Sequence, residues 1–109
     1  YTLYEDDIVK CFLDLDQSCL GHILVIPKEH TLDIDSVSND TLNHIFNIIR
    51  MLKKHLEDKL NIDALSILQN NGIAQEVKHL HFHLLPKYEN KPENIDSEKL
   101  YELLKVTNY

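Results

Sequence analysis

Apolar positions alternate or cluster in short runs near both ends of the chain and recur at helical spacing in its middle. Residues 8–13 are rich in β-formers, and residues 22–26 form a tight apolar run closed by Pro27. Between them, residues 14–21 carry Asp16, Gln17, Ser18 and Gly21, which suit a turn, so the two strands pair most simply antiparallel. From Leu42 the period changes. Leu42, Ile45, Ile49, Leu52, Leu56 and Leu60 recur every three or four residues, which predicts one long amphipathic helix. Ser38 or Asn39 can cap its start, while Asp40 and Lys59 complement its dipole. A strand over 64–68 follows and ends in the turn Asn70-Asn71-Gly72. Residues 79–85 alternate again until Pro86, 89–94 is a polar loop, and 97–105 predicts a short amphipathic helix. The order strand, strand, helix, strand, strand, helix predicts an α+β domain with a largely antiparallel sheet.

At 109 residues the chain has room for one domain, taken here as residues 1–109. Its 43% hydrophobic and 27% charged content argues against disorder. Eleven basic against eighteen acidic residues give a net charge of −7, which disfavours binding to a nucleic acid duplex. The apolar run at 23–26 is far short of the roughly 18 residues that suggest a membrane span, so no membrane is expected as a partner. Cys11 and Cys19 read as small apolar side chains in a reducing compartment, with the cytoplasm as the expected address. The chain opens on Tyr1, and some N-terminal sequence is expected to precede it.

Chemistry concentrates in the histidines. Three of the seven fall within five residues. On a strand His79, His81 and His83 share one face, and Leu80, Phe82 and Leu84 share the other. A polar strand face could use histidine by chance, but such faces more often draw on Lys, Thr, Glu and Ser. Metal binding is a second reading, since imidazole is a common ligand. Alternate strand residues lie about 6.6 Å apart, so two neighbours could grip one ion whereas all three, spread over about 13 Å, would need strong bending. Catalysis is the third reading, with one imidazole as nucleophile or proton carrier. Spacing leaves the last two open. His44 and His55, on the predicted helix, read as solvated surface residues, as do Arg50, Lys53, Lys54 and Lys59.

The segment from Gln75 to Pro86 resembles the signature of the histidine triad (HIT) family, His-φ-His-φ-His-φ-φ with φ apolar. The likeness extends upstream through Asp14-Leu15, through the block from Gly21 to His30, and through the turn Asn70-Asn71-Gly72. The resemblance implies a HIT-like α+β fold: a five-stranded, largely antiparallel sheet with one long helix and a short C-terminal helix, usually assembled as a homodimer. It implies hydrolysis or transfer at the α-phosphate of a purine nucleotide conjugate, a phosphoramidate or a related compound, in a nucleoside phosphoramidase-like branch. A dinucleoside polyphosphate hydrolase and a non-catalytic nucleotide-binding scaffold are the alternatives.

By motif position, the resemblance makes His81 the nucleophile that carries a nucleotidyl group. His83 and His22 line the phosphate site, and His79 is supportive. Asp14 would bond the ribose and Leu15 flank the base. Asn70 and Gln75 fall where the family contacts phosphate or leaving group, followed by Glu76 and Val77. Glu76 stands where some branches have Ser or Thr; a carboxylate repels phosphate, so only its backbone N–H is expected to meet substrate. The acidic chain must hold an anionic ligand with imidazoles, backbone N–H groups and, as candidates, Lys28 and Lys87. Some relatives bind structural zinc through a Cys pair, the histidine at the position of His30 and the first triad histidine. This sequence has no Cys-x-x-Cys, so no metal or other cofactor is expected unless such a pair precedes Tyr1.

Overall fold

A computed structural model describes residues 1–107. Five strands form one sheet: β1 (Thr2–Glu5), β2 (Val9–Leu13), β3 (Ile23–Pro27), β4 (Ala64–Leu68) and β5 (Phe82–Lys87). Their order is β1-β2-β3-β5-β4, and each neighbouring pair is antiparallel. Helix α1 (Asn39–Leu60) joins β3 to β4, and α2 (Ser97–Leu104) follows β5. This is the α+β architecture the pattern and the resemblance both predict.

Strand alternation divides the sheet into two faces. Val9, Cys11, Leu13, Ile23, Val25, Leu80, Phe82 and Leu84 are buried, together with Ile45, Ile48, Ile49, Leu52 and Leu56 of α1. The helix starts where the sequence indicates: the Ser38 side chain accepts the Thr41 N–H at 3.2 Å. Glu29 binds the backbone N–H and hydroxyl of Ser38 and the hydroxyl of Thr41. It ends at Asn61, whose left-handed φ of 51° closes the last turn.

Three expectations need correction. β1 is an extra edge strand whose buried side chain, Leu3, is single, so four residues left no readable period. β5 begins at Phe82 rather than at 79: the Leu80 N–H goes to Thr31 O at 3.0 Å, and the His79 carbonyl is taken by the ring of His81. The alternation of faces nevertheless persists through 79–84. His44 and His55 are not free surface residues. His44 Nε2 donates to Asp6 at 2.7 Å, and His55 Nε2 donates to the Leu104 carbonyl at 2.7 Å, tying α1 to the β1–β2 turn and to α2. Among the described residues no helix is long and apolar enough to cross a membrane.

Candidate active site

The sheet face turned away from α1 carries the even-numbered residues of β2 and β3. Register aligns Phe12 with Leu24, Leu24 with His83, and His83 with Leu68, one row across four strands. The apolar run at 23–26 thus has two uses. Ile23 and Val25 enter the core, while Leu24 and Ile26 floor a cleft of about 670 Å³ on the other side. Asp14, His22, His79, His81 and His83 line that cleft with Asn70, Glu76 and Val77. Phe12, Leu68, Ala74 and Leu85 complete its apolar wall. Sequence reading missed these apolar members, although a strand apolar on both faces with a helix on only one is the signal that reveals them.

Each imidazole is fixed. His81 Nδ1 lies 2.7 Å from the His79 carbonyl oxygen. A carbonyl can only accept, so Nδ1 carries a proton, and in the neutral ring Nε2 holds the lone pair. His79 Nε2 donates in the same way to Pro27 O at 3.0 Å, which bridges its segment to the end of β3. His22 Nε2 and His83 Nδ1 are 2.9 Å apart and share one proton. Burial lowers the pKa of His83, with the neighbouring His81 and His22 acting the same way and Asp14 opposing them.

The loop before β3 sets His22. Gln17 accepts the Gly21 N–H at 2.8 Å and donates to the carbonyls of Asp14 and His22, each at 2.9 Å. Gly21 has φ +89°, and a Cβ there would sit 2.9 Å from the Leu60 side chain and 3.1 Å from that of Pro86. The positive φ strains any side chain there, and a Cβ would also force the Leu60 side chain to shift. Gln17 has a positioning role that the sequence reading saw only as loop polarity.

Two predicted residues lie elsewhere. Leu15 is 97% exposed and does not line the cleft. Gln75 is buried, and its amide donates to Leu32 O at 2.6 Å, so its side chain braces the loop instead of facing a ligand. Neither proposed lysine lines the cleft: Lys28 pairs with Glu5 at 2.7 Å, and Lys87 borders a separate depression with Cys19 and Tyr88.

Asp14, His22 and His83 present ligand atoms within 4.8 Å of one another, a set that could hold a metal ion. Of the zinc ligands the resemblance implies, the described residues supply the two histidines and no thiol beside them. His30 and His79 are adjacent, with ring centroids 6.2 Å apart, but neither thiol joins them. Cys11 lies in the core, its pKa pushed up to about 12 by burial, and the Cys19 thiol donates to Pro86 O.

Residues 1–90 match the HIT domain family. The chain is 37% identical to an uncharacterised HIT-like protein of Methanocaldococcus jannaschii, covering 95% of this chain and 88% of that protein. It is 38% identical to the adenosine 5'-monophosphoramidase of Saccharomyces cerevisiae over 84% of this chain and 56% of the yeast protein. In three dimensions it superposes on a hypothetical histidine triad nucleotide-binding protein of Sulfolobus tokodaii with a TM-score of 0.82. That match is 32% identical and covers 96% of this chain and 78% of the other. Fold, motif order and overall likeness agree, and the chain belongs to the histidine triad family.

Proposed function

We propose that the protein cleaves purine nucleotide conjugates at the α-phosphate, through a nucleotidyl group carried on His81. The observation that carries this reading is the 2.7 Å hydrogen bond from His81 Nδ1 to the His79 carbonyl. In the neutral ring it makes Nε2 the lone-pair nitrogen of a side chain that lines the cleft, the atom suited to attack. Nε2 attacks phosphorus as the bond to the leaving group breaks, and the electron pair departs with that group. A protonated His22–His83 pair supplies the proton a departing nitrogen needs. The lowered pKa of His83 makes its protonated form a stronger acid than ordinary imidazolium. Water then cleaves the histidine–phosphorus bond, giving the nucleoside monophosphate and returning one proton to the pair. Asp14 is suited to the ribose hydroxyls, and Phe12, Leu24 and Ile26 to the base. The name of the yeast relative supports adenosine phosphoramidates as substrates.

The test is a denaturing quench at alkaline pH during turnover of adenosine 5'-monophosphoramidate, followed by peptide mass spectrometry. One nucleotidyl group on the His81 peptide, lost on acid treatment, is expected, and turnover should withstand chelators. Turnover abolished by chelation, with no adduct trapped, would replace this mechanism with a metal hydrolase.

We also propose a homodimer joined across β4. That strand is a sheet edge, and Ile67 and Leu68 are 48% and 44% exposed along it. Sedimentation should give twice the chain mass at micromolar concentration, and a monomer there would overturn the assembly. The free thiols of Cys11 and Cys19 suit a reducing compartment such as the cytoplasm.

A further inference from the structure

The wall of the cleft is unusual in its charges for a site that meets phosphate. Among the described residues it contains no lysine and no arginine, yet it holds two carboxylates, Asp14 and Glu76. Asp14 is partly engaged, because its Oδ1 accepts the Asp16 N–H at 2.8 Å. Glu76 is exposed. No hydrogen bond or ion pair to its carboxylate is found among the described residues. Lys78, two positions on, is the nearest cation in sequence, but its Nζ is turned to the carbonyls of Gln75 at 2.8 Å and Gly72 at 3.4 Å. Lys28 is held by Glu5, and Lys87 faces another depression. Glu76 thus presents to the cleft a carboxylate with no ion-pair partner among the described residues, while Lys78, held by backbone carbonyls and outside the lining, offsets that charge only in part.

The position of that charge matters as much as its sign. Asp14 follows β2, on one side of the row that crosses β2, β3, β5 and β4. Glu76 belongs, with Ala74 and Val77, to the connection between β4 and β5, on the opposite side. With ribose toward Asp14 and the α-phosphate at His81 and His83, the departing group is directed toward the loop that carries Glu76. This placement rests on the function proposed above.

We propose that Glu76 sets leaving-group specificity, favouring amines that carry positive charge and rejecting groups that carry further phosphates. In the favoured reaction the P–N bond breaks, its electron pair stays on nitrogen, and that nitrogen takes up a proton. Any ammonium on the departing group is attracted by the carboxylate. A polyphosphate leaving group would instead bring several negative charges toward it with no lysine or arginine to receive them. One unit charge a few ångströms away in a partly hydrated cleft changes a rate by about tenfold. Glu76 is thus a specificity residue acting on substrate by charge, and Gln and Lys at its position should grade the effect.

The test compares kcat/KM for three substrates in the wild type, Glu76→Gln and Glu76→Lys. The substrates are adenosine monophosphate joined through nitrogen to an aminohexyl chain ending in ammonium, the same conjugate with a neutral hexyl chain, and diadenosine tetraphosphate. The wild type should prefer them in that order. Glu76→Gln should reduce the ammonium-to-neutral ratio about tenfold, Glu76→Lys should bring it below one, and both should raise the relative rate on the tetraphosphate. The wild-type ratio should also shrink as ionic strength rises. Equal ratios in all three proteins, each still binding adenosine monophosphate, overturn the inference while leaving the proposed function standing. A wild type that turns over none of the three overturns both.

Discussion

The histidines of α1 and those of the cleft obey the same hydrogen-bonding rule with opposite consequences. His55 gives its Nε2 proton to Leu104 O, and His44 gives its Nε2 proton to Asp6. In each case the outer nitrogen of the ring is spent on a second element, so the side chain acts as a strut. His81 gives up Nδ1, the inner nitrogen, to a carbonyl only two residues back. Its outer nitrogen stays available in the cleft. What separates the struts from a ring with an open outer nitrogen is thus which nitrogen is claimed: Nε2 by Leu104 O or the Asp6 carboxylate, Nδ1 by the His79 carbonyl. Contact between rings adds a second difference: His83 lies 4.9 Å from His81 and 5.1 Å from His22, centroid to centroid, so their charges are coupled. The helix pair has no such company among the described residues.

The largest effect that can break this comparison is at His81. His81→Ala should lower turnover by more than about 10⁴-fold, while titration calorimetry still detects adenosine monophosphate binding. Retained turnover would place His81 among the struts.

Asp6 anchors the strut side. Its carboxylate accepts from Tyr4, His44 and the backbone N–H groups of Ile8 and Val9. Burial works against ionisation there, but these four donors outweigh it and hold the pKa well below the ordinary carboxylate range. A depressed folded-state value means the contribution to stability is complete above the unfolded-state pKa and disappears as pH falls through the folded-state one. Asp6→Asn should therefore cost about 1–3 kcal/mol at pH 7 in urea denaturation. The gap to wild type should narrow as the pH drops below about 4. A gap independent of pH would show that the ionised form is not what matters.

Smaller still, His55→Ala should lose about 1 kcal/mol of stability with kcat little changed. A large loss of turnover without loss of stability would erase the distinction between the two histidine sets. The finest measurement is ¹H–¹⁵N spectroscopy of the rings. His81 should show protonated Nδ1 at neutral pH, His55 protonated Nε2, and His83 should titrate below the ordinary imidazole value of about 6.5.

How much of this was legible depended on the range over which each signal acts. The helix could be read because six apolar residues keep one period over 19 positions, and the triad because alternation over a few residues separates imidazoles from core. Both are local. The struts were misread as solvated because their partners lie 38 and 49 residues away, where no spacing rule reaches. Gln75 and Leu15 lie beside the right motifs in sequence but not in the cleft, since side-chain direction in an irregular loop depends on contacts such as Leu32 O. Tautomer, too, is invisible in a string of letters. It depends on the bend that carries the His79 carbonyl to the ring of His81.

The row Phe12, Leu24, His83, Leu68 has a consequence for how this site can change through descent. Because successive side chains point to opposite faces, inserting or deleting one residue between 79 and 84 would send imidazoles into the core and leucines into the cleft. Substitutions can retune such a site one group at a time, whereas a one-residue change in length reverses the faces of the residues beyond it unless a bulge absorbs it. The triad segment is thus constrained in length by strand geometry, while composition is the variable through which its chemistry can be tuned.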